Sequence, residues 1–166
     1  AYYIRQLNID ELYRLCLPYL NKNLNKTKNI EKKDEQYIKN AIRLEQERMK
    51  NLPEVGELTE FFFLDKLEYN SDLLVWKNLD KSQIKSNLEK INELLDKIPA
   101  DEWTHHSIKD SVMTYITAKN LKTGDYLWPL RAAITGRKAS PGPFEVAEAL
   151  RKDECMHRII SAIEKL

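Results

Sequence analysis

Glycine and proline are sparse in this chain, at 4 and 6 of 166 residues, while leucine, lysine, glutamate, isoleucine and asparagine abound. That balance favours helix. Threonine and valine are too few, and alternation of apolar with polar residues too rare, for a large sheet, so the expected fold is all-α. No run of about 18 apolar residues occurs, so no segment is expected to span a membrane. No basic segment followed by an apolar block lies in the first twenty residues, so no signal peptide is expected. Two cysteines, Cys16 and Cys155, lie far apart; they read as buried thiols rather than a disulfide, which suits a reducing cytoplasm. The first residue is Ala1 rather than Met, so residues upstream are expected.

Catalytic signatures are also lacking. There is no GxxxxGK[ST] loop, no GxGxxG turn after a strand, no HExxH and no CxxC. His105 and His106 are adjacent, and neighbours on a helix point about 100° apart, so they do not share one ion from one face. No metal site is expected, and His157 reads as exposed. The carboxylate pairs Glu57/Glu60 and Glu145/Glu148 stand three residues apart with no apolar pocket evident to raise a pKa. They read as solvated faces. Phe61–Phe63 occupy consecutive helical positions that diverge too much for a base-stacking platform. Core and interface are expected of them instead.

What is present is segregated charge. The net charge of +1 hides +4 over residues 21–50, −6 over 51–118 and +3 over 119–166. Separated basic and acidic regions suit an oriented polyanionic partner, although exposed helical lysines produce the same pattern.

Helical spacing organises most of the chain. Asn8 and Glu11 form a capping box ahead of a helix carrying Leu12, Leu15, Cys16 and Tyr19, which Pro18 should bend or end. Residues 21–33 read as a polar loop, residues 34–50 as a second helix, and 53–63 as a third with Pro53 in its first turn. Residues 64–72 look like a linker, giving two helical subdomains, 1–70 and 71–166. The second should hold helices at 81–97, at 102–120 capped by Asp101, and at 126–135, which Pro129 can join only near its start. Gly136 should end that helix. Ser140 should cap the next, with Pro141, Gly142 and Pro143 as its first residues, and a last helix should cover 153–165.

The stretch 128–145, "WPLRAAITGRKASPGPFE", concentrates positive charge beside a stiff turn. A guanidinium on a short, firmly ended helix, here Arg131, can form paired hydrogen bonds with a nucleobase edge or a phosphate. The N–H groups of Gly142 and the residues just after it can take negative charge or base acceptors. Arg137 and Lys138 suit phosphate contacts that position without reading sequence. A capped helical corner with surface charges explains the same residues equally well.

"PLRAAITGRKASPGPFEVAEAL", followed by the terminal "HRIISAIEKL", resembles the C-terminal anticodon-binding region of bacterial glutamyl-tRNA synthetases. "YYIRQLNIDELYRLCLPYL", "QERMKNLPEVGELTEFFF" and "WTHHSIKDSVMTYITAKNLKTG" match the same family in order, so the resemblance covers essentially the whole chain. It implies an α-helical cage of two subdomains that grips the anticodon arm of glutamate tRNA. By this resemblance Arg131 and the corner of Ser140, Pro141, Gly142 and Pro143 meet the first two anticodon bases. Arg48 meets the third, where arginine accompanies restriction to glutamate tRNA and glutamine accompanies wider charging. Lys119, Lys122, Arg137 and Lys138 would hold phosphates. Two positions depart from the family: Arg151 where glycine is common, and Pro143 where an aliphatic residue is common. Neither the HIGH-like nor the KMSKS-like signature occurs, so this chain would not adenylate glutamate alone. No cofactor is expected in it, ATP and magnesium belonging to a catalytic half. Besides the tRNA, its expected partner is that half of the same enzyme, with no membrane or DNA partner and a monomeric state. The rival reading is a helical protein-interaction module with no RNA role, docking through Phe61–Phe63.

Overall fold

The computed structural model describes residues 2–24 and 30–166. Among the described residues there are nine α-helices linked by 3-10 turns, and no strand. The chain forms two compact units, Ala1–Lys66 and Leu67–Leu166. The division falls before the expected position at residue 70. Leu67 is buried, and a Cβ added to Gly136 would lie 3.3 Å from the Tyr69 ring and 3.6 Å from Leu67. Part of the apparent linker is therefore core of the second unit.

The first unit contains α1 (Tyr2–Gln6), α2 (Ile9–Leu24), α3 (Glu35–Glu45) and α4 (Val55–Thr59). Asn8 caps α2 as expected, its Oδ1 accepting the Glu11 N–H at 3.0 Å. Pro18 neither ends nor shortens α2, which runs on to Leu24. Its missing N–H and ring clash cost about 3 kcal/mol in a helix interior. Leu12, Cys16 and Leu20, all fully buried on either side of it, offset that cost. Residues 25–29 of the expected loop lie outside the described residues.

Helix α3 begins where expected, with Asp34 accepting the Tyr37 N–H at 2.8 Å. It stops at Glu45, short of the expected residue 50. The Gln46 amide there donates to the carbonyls of Ile4 and Leu7, each at 2.9 Å, which ties the following turn to α1. Phe61, Phe62 and Phe63 are each 1% exposed, and the Tyr37 hydroxyl donates to the Phe62 carbonyl. A docking surface at Phe61–Phe63 is thereby overturned. The chain leaves α-helical geometry after α4, and a 3-10 turn over Glu60–Phe62 buries all three rings, with Phe63 meeting the Tyr37 ring of α3 at 6.0 Å.

The second unit contains α5 (Lys81–Asp96), α6 (His105–Ala118), α7 (Thr123–Thr135), α8 (Pro143–Leu150) and α9 (Lys152–Lys165). Helix α5 packs on α6, α7 and α9, and α7 packs on α8 and α9. Ile84, Leu88, Ile91 and Leu95 supply the buried stripe of α5. Thr104, not Asp101, caps α6, accepting the Ser107 N–H at 3.1 Å. Asp101 lies in a separate 3-10 turn after Pro99. Cys16 and Cys155 are both free and buried, in different units. Burial pushes the Cys16 thiol up to about 11 and the Cys155 thiol up to about 12, so both stay protonated and inert near neutrality.

Candidate nucleic-acid interface

Helix α7 is the mount on which the basic stretch is built, and its construction departs from the sequence expectation. It starts at Thr123, so Pro129 stands well inside it. A proline there removes the N–H that would bond the Asp125 carbonyl four residues earlier. Asn87 of α5 replaces that donor, its amide reaching the Asp125 carbonyl at 2.9 Å, with its own oxygen held by Gln83 at 2.8 Å. Asn87 is 3% exposed. The proline is tolerated because a neighbouring helix supplies the missing donor.

The C-terminus of α7 is fixed as firmly. Gly136 adopts φ +67° and its N–H reaches the Ala132 carbonyl at 2.8 Å, the left-handed helix end that glycine permits without strain. Arg158 of α9 is 4% exposed. It donates to the Ile134 carbonyl at 2.8 Å and pairs with Glu154 at 2.8 Å. A buried cation at a helix C-terminus meets both the free carbonyls and the helix dipole. Sequence reasoning missed Arg158. The available signal was its place four residues after Glu154, between Cys155 and Ile159 on the apolar stripe of α9.

On this mount Arg131 is half-buried, and its guanidinium has no hydrogen bond or ion pair among the described residues. The Arg131 carbonyl accepts the Thr135 hydroxyl at 2.7 Å, and the Thr135 oxygen accepts the Arg137 N–H at 3.1 Å. That relay ties the helix end to the basic loop, in which Arg137 is half-buried and Lys138 exposed.

The corner after the loop differs from expectation. Ser140 does not cap α8; its hydroxyl donates to the Pro141 carbonyl at 2.8 Å. Helix α8 begins at Pro143, with Gly142 in the capping position and no side-chain cap. Extended backbone is favoured before proline, and Gly142, at φ −58° and ψ 147°, stands outside the helix as its cap. Pro141 and Pro143 are buried, and Ser140 and Gly142 half-buried. Helix α8 is joined to the turn before α6 by the Trp103 indole N–H on the Ala147 carbonyl at 2.9 Å, and to the start of α6 by the His105 N–H on Glu148 at 2.7 Å. Glu145 and Glu148 are both exposed, as expected, and Glu148 in addition accepts from the N-terminus of α6.

Arg151 keeps the turn between α8 and α9, at φ +71° and ψ 162°. That backbone region is held almost entirely by glycine, so arginine holds it under strain.

Lys119 and Lys122 flank the short link from α6 to α7. Their side chains are exposed and unpaired among the described residues. A cavity of about 590 Å³ opens beside Lys122, with Trp76, Lys77, Leu121 and Gly124 among its lining. Trp76 stacks on Trp128 at 5.2 Å. Gly124 is required there, since a Cβ would fall 2.6 Å from the Trp76 indole nitrogen. Sequence reasoning did not single out Trp76 or Lys77.

Arg48 lies in the other unit. Its guanidinium Nη1 meets both carboxylate oxygens of Glu45, at 3.1 and 3.4 Å. Among the described residues no group of three or more His, Cys, Asp or Glu could hold a metal ion. No described helix is long and apolar enough to cross a membrane.

Comparison with known proteins places this geometry. A family model described as an anticodon binding domain matches residues 11–163. Over 99% of its length the chain is 36% identical to the glutamate–tRNA ligase of Clostridium tetani and 32% identical to that of Clostridium botulinum strain Hall. It spans 32% of the length of each. A solved glutamate tRNA ligase from Elizabethkingia meningosepticum, in complex with its amino acid, superposes with a TM-score of 0.76 at 21% identity. That match covers 98% of this chain and 30% of the ligase. A second ligase structure, from Elizabethkingia anophelis, gives 0.70 at 22% identity over the same shares.

Proposed function

The chain belongs to the anticodon binding domain family, and from that premise we propose that it grips the anticodon arm of glutamate tRNA for a glutamate–tRNA ligase. It does so in the cytoplasm, as a monomer, and catalyses nothing alone. ATP and magnesium serve the catalytic part of the ligase, which acts in protein synthesis.

The observation that carries this reading is the free guanidinium of Arg131. Among the described residues, four other cations of the second unit pair with carboxylates: Lys81 with Asp72, Lys90 and Lys97 with Glu93, and Arg158 with Glu154. Arg131 is instead unpaired on a helix whose Asp125 and Ile134 carbonyls are held by side chains of α5 and α9, which is how a base-reading group is pre-organised. With Ser140, Pro141, Gly142 and Pro143 it meets the first two anticodon bases, and Arg48 meets the third. Lys119, Lys122, Arg137 and Lys138 hold phosphates. The rival protein-interaction module has lost its docking surface, because the three phenylalanines are core.

Two variants test the division of labour. Arg131→Ala should weaken binding of glutamate tRNA by about 1–3 kcal/mol and relax preference at the bases it reads. Lys138→Ala should weaken all RNAs alike and lower the salt slope by roughly 1. Equal loss on matched and altered anticodons in the Arg131 variant would remove its base-reading role. An unchanged slope in the Lys138 variant would remove its phosphate contact.

A further inference from the structure

Glu45 is the last residue of α3 and has 0% exposure, yet it carries a carboxylate. The cation against it is Arg48, whose side chain is 34% exposed. The backbone binds the same two residues. The N–H groups of Arg48 and Met49 both reach the Glu45 carbonyl, at 2.9 and 3.1 Å, and Met49 is buried at 1% exposure. Arg48 is therefore fixed at its base by a turn with a core anchor and near its tip by a carboxylate that water does not screen.

We infer that Glu45 is a positioning residue for Arg48, holding one edge of the guanidinium so that its remaining N–H groups stay ready for the third anticodon base. This rests on the reading of Arg48 given above. An exposed arginine visits many rotamers, and each must be abandoned on binding. Pairing Nη1 with a buried carboxylate removes that freedom beforehand and leaves Nε and Nη2 without partners among the described residues.

The test measures binding of this chain to glutamate tRNA and to the same tRNA altered at the third anticodon base. Glu45→Leu, which fills the space without charge or acceptor, should reduce the preference for the natural base roughly tenfold. Glu45→Gln, which retains an acceptor, should recover part of it, a rescue that a purely structural role would not give. Glu45→Leu should add nothing in an Arg48→Met background. Loss of preference in Arg48→Met with none in either Glu45 variant would overturn the positioning role and leave the reading of Arg48 intact. Full preference in Arg48→Met would instead remove Arg48 as the reader, and the positioning role with it. The unmodified chain offers a readout that needs no variant to fold. Nitrogen-15 NMR should show separate Arg48 Nη signals from hindered rotation, and a single averaged signal would contradict the inference.

Discussion

Pro129 inside α7 makes a double-mutant cycle with Asn87 the sharpest test of how that helix is held. Asn87→Ala removes the 2.9 Å bond to the Asp125 carbonyl and leaves that acceptor facing a buried methyl group. An orphaned buried acceptor costs about 1–3 kcal/mol. Gln83, which loses its partner on Asn87, is exposed and recovers water, so it adds little. In a Pro129→Ala background residue 129 regains its N–H and bonds the Asp125 carbonyl within the helix. The cost of Asn87→Ala should then fall by about 1 kcal/mol, the worth of one hydrogen bond. Urea unfolding of the four proteins, followed by helical circular dichroism, measures the coupling. Equal cost of Asn87→Ala in both backgrounds would refute the account of how α7 accommodates its proline.

Arg151→Gly should stabilise the chain by about 1 kcal/mol, since it relieves a backbone conformation that costs about 1–3 kcal/mol for a residue with a Cβ; the side-chain contacts of Arg151 offset part of the gain. A lower urea midpoint for that variant would contradict the strain. Burial raises Cys16 to about 11 and Cys155 to about 12 from 9.0, and Tyr69 and Tyr126 to about 12 from 10.0. The folded chain therefore holds protons that the unfolded chain releases, so stability should fall as pH rises from 9 towards 12. A urea midpoint that does not change between pH 8 and 10.5 would contradict the burial of the two thiols.

What was legible in the sequence is what local chemistry decides. Asn8 lies where a side-chain oxygen meets the third N–H of a helix, and it caps α2. Gly136 ends α7 because the chain needs a left-handed residue there. What was not legible depends on distant partners. Nothing near Pro129 in sequence announces that Asn87 will supply the missing donor, and without it a helix starting just before the proline is the reasonable expectation. Thr104 displaced Asp101 as the cap because the 3-10 turn after Pro99 postpones α6, and Glu148 of α8 then takes the His105 N–H. The buried face of Arg158 and the charge of Glu45 were invisible for the same reason. Each is a polar group whose partner arrives only through tertiary packing. Arg131 could be nominated from its pattern and Arg48 from the family resemblance, while the contacts that hold α7 and the Arg48 guanidinium required coordinates.

The central claim is that this chain reads an anticodon. Its most direct test is binding to glutamate tRNA at fixed salt, beside the same tRNA with one anticodon base changed. The account predicts tighter binding to the natural anticodon, by about 1–3 kcal/mol per altered base as for other base-reading contacts. Equal affinity for both, from a folded chain, would contradict it and reduce the interaction to charge alone.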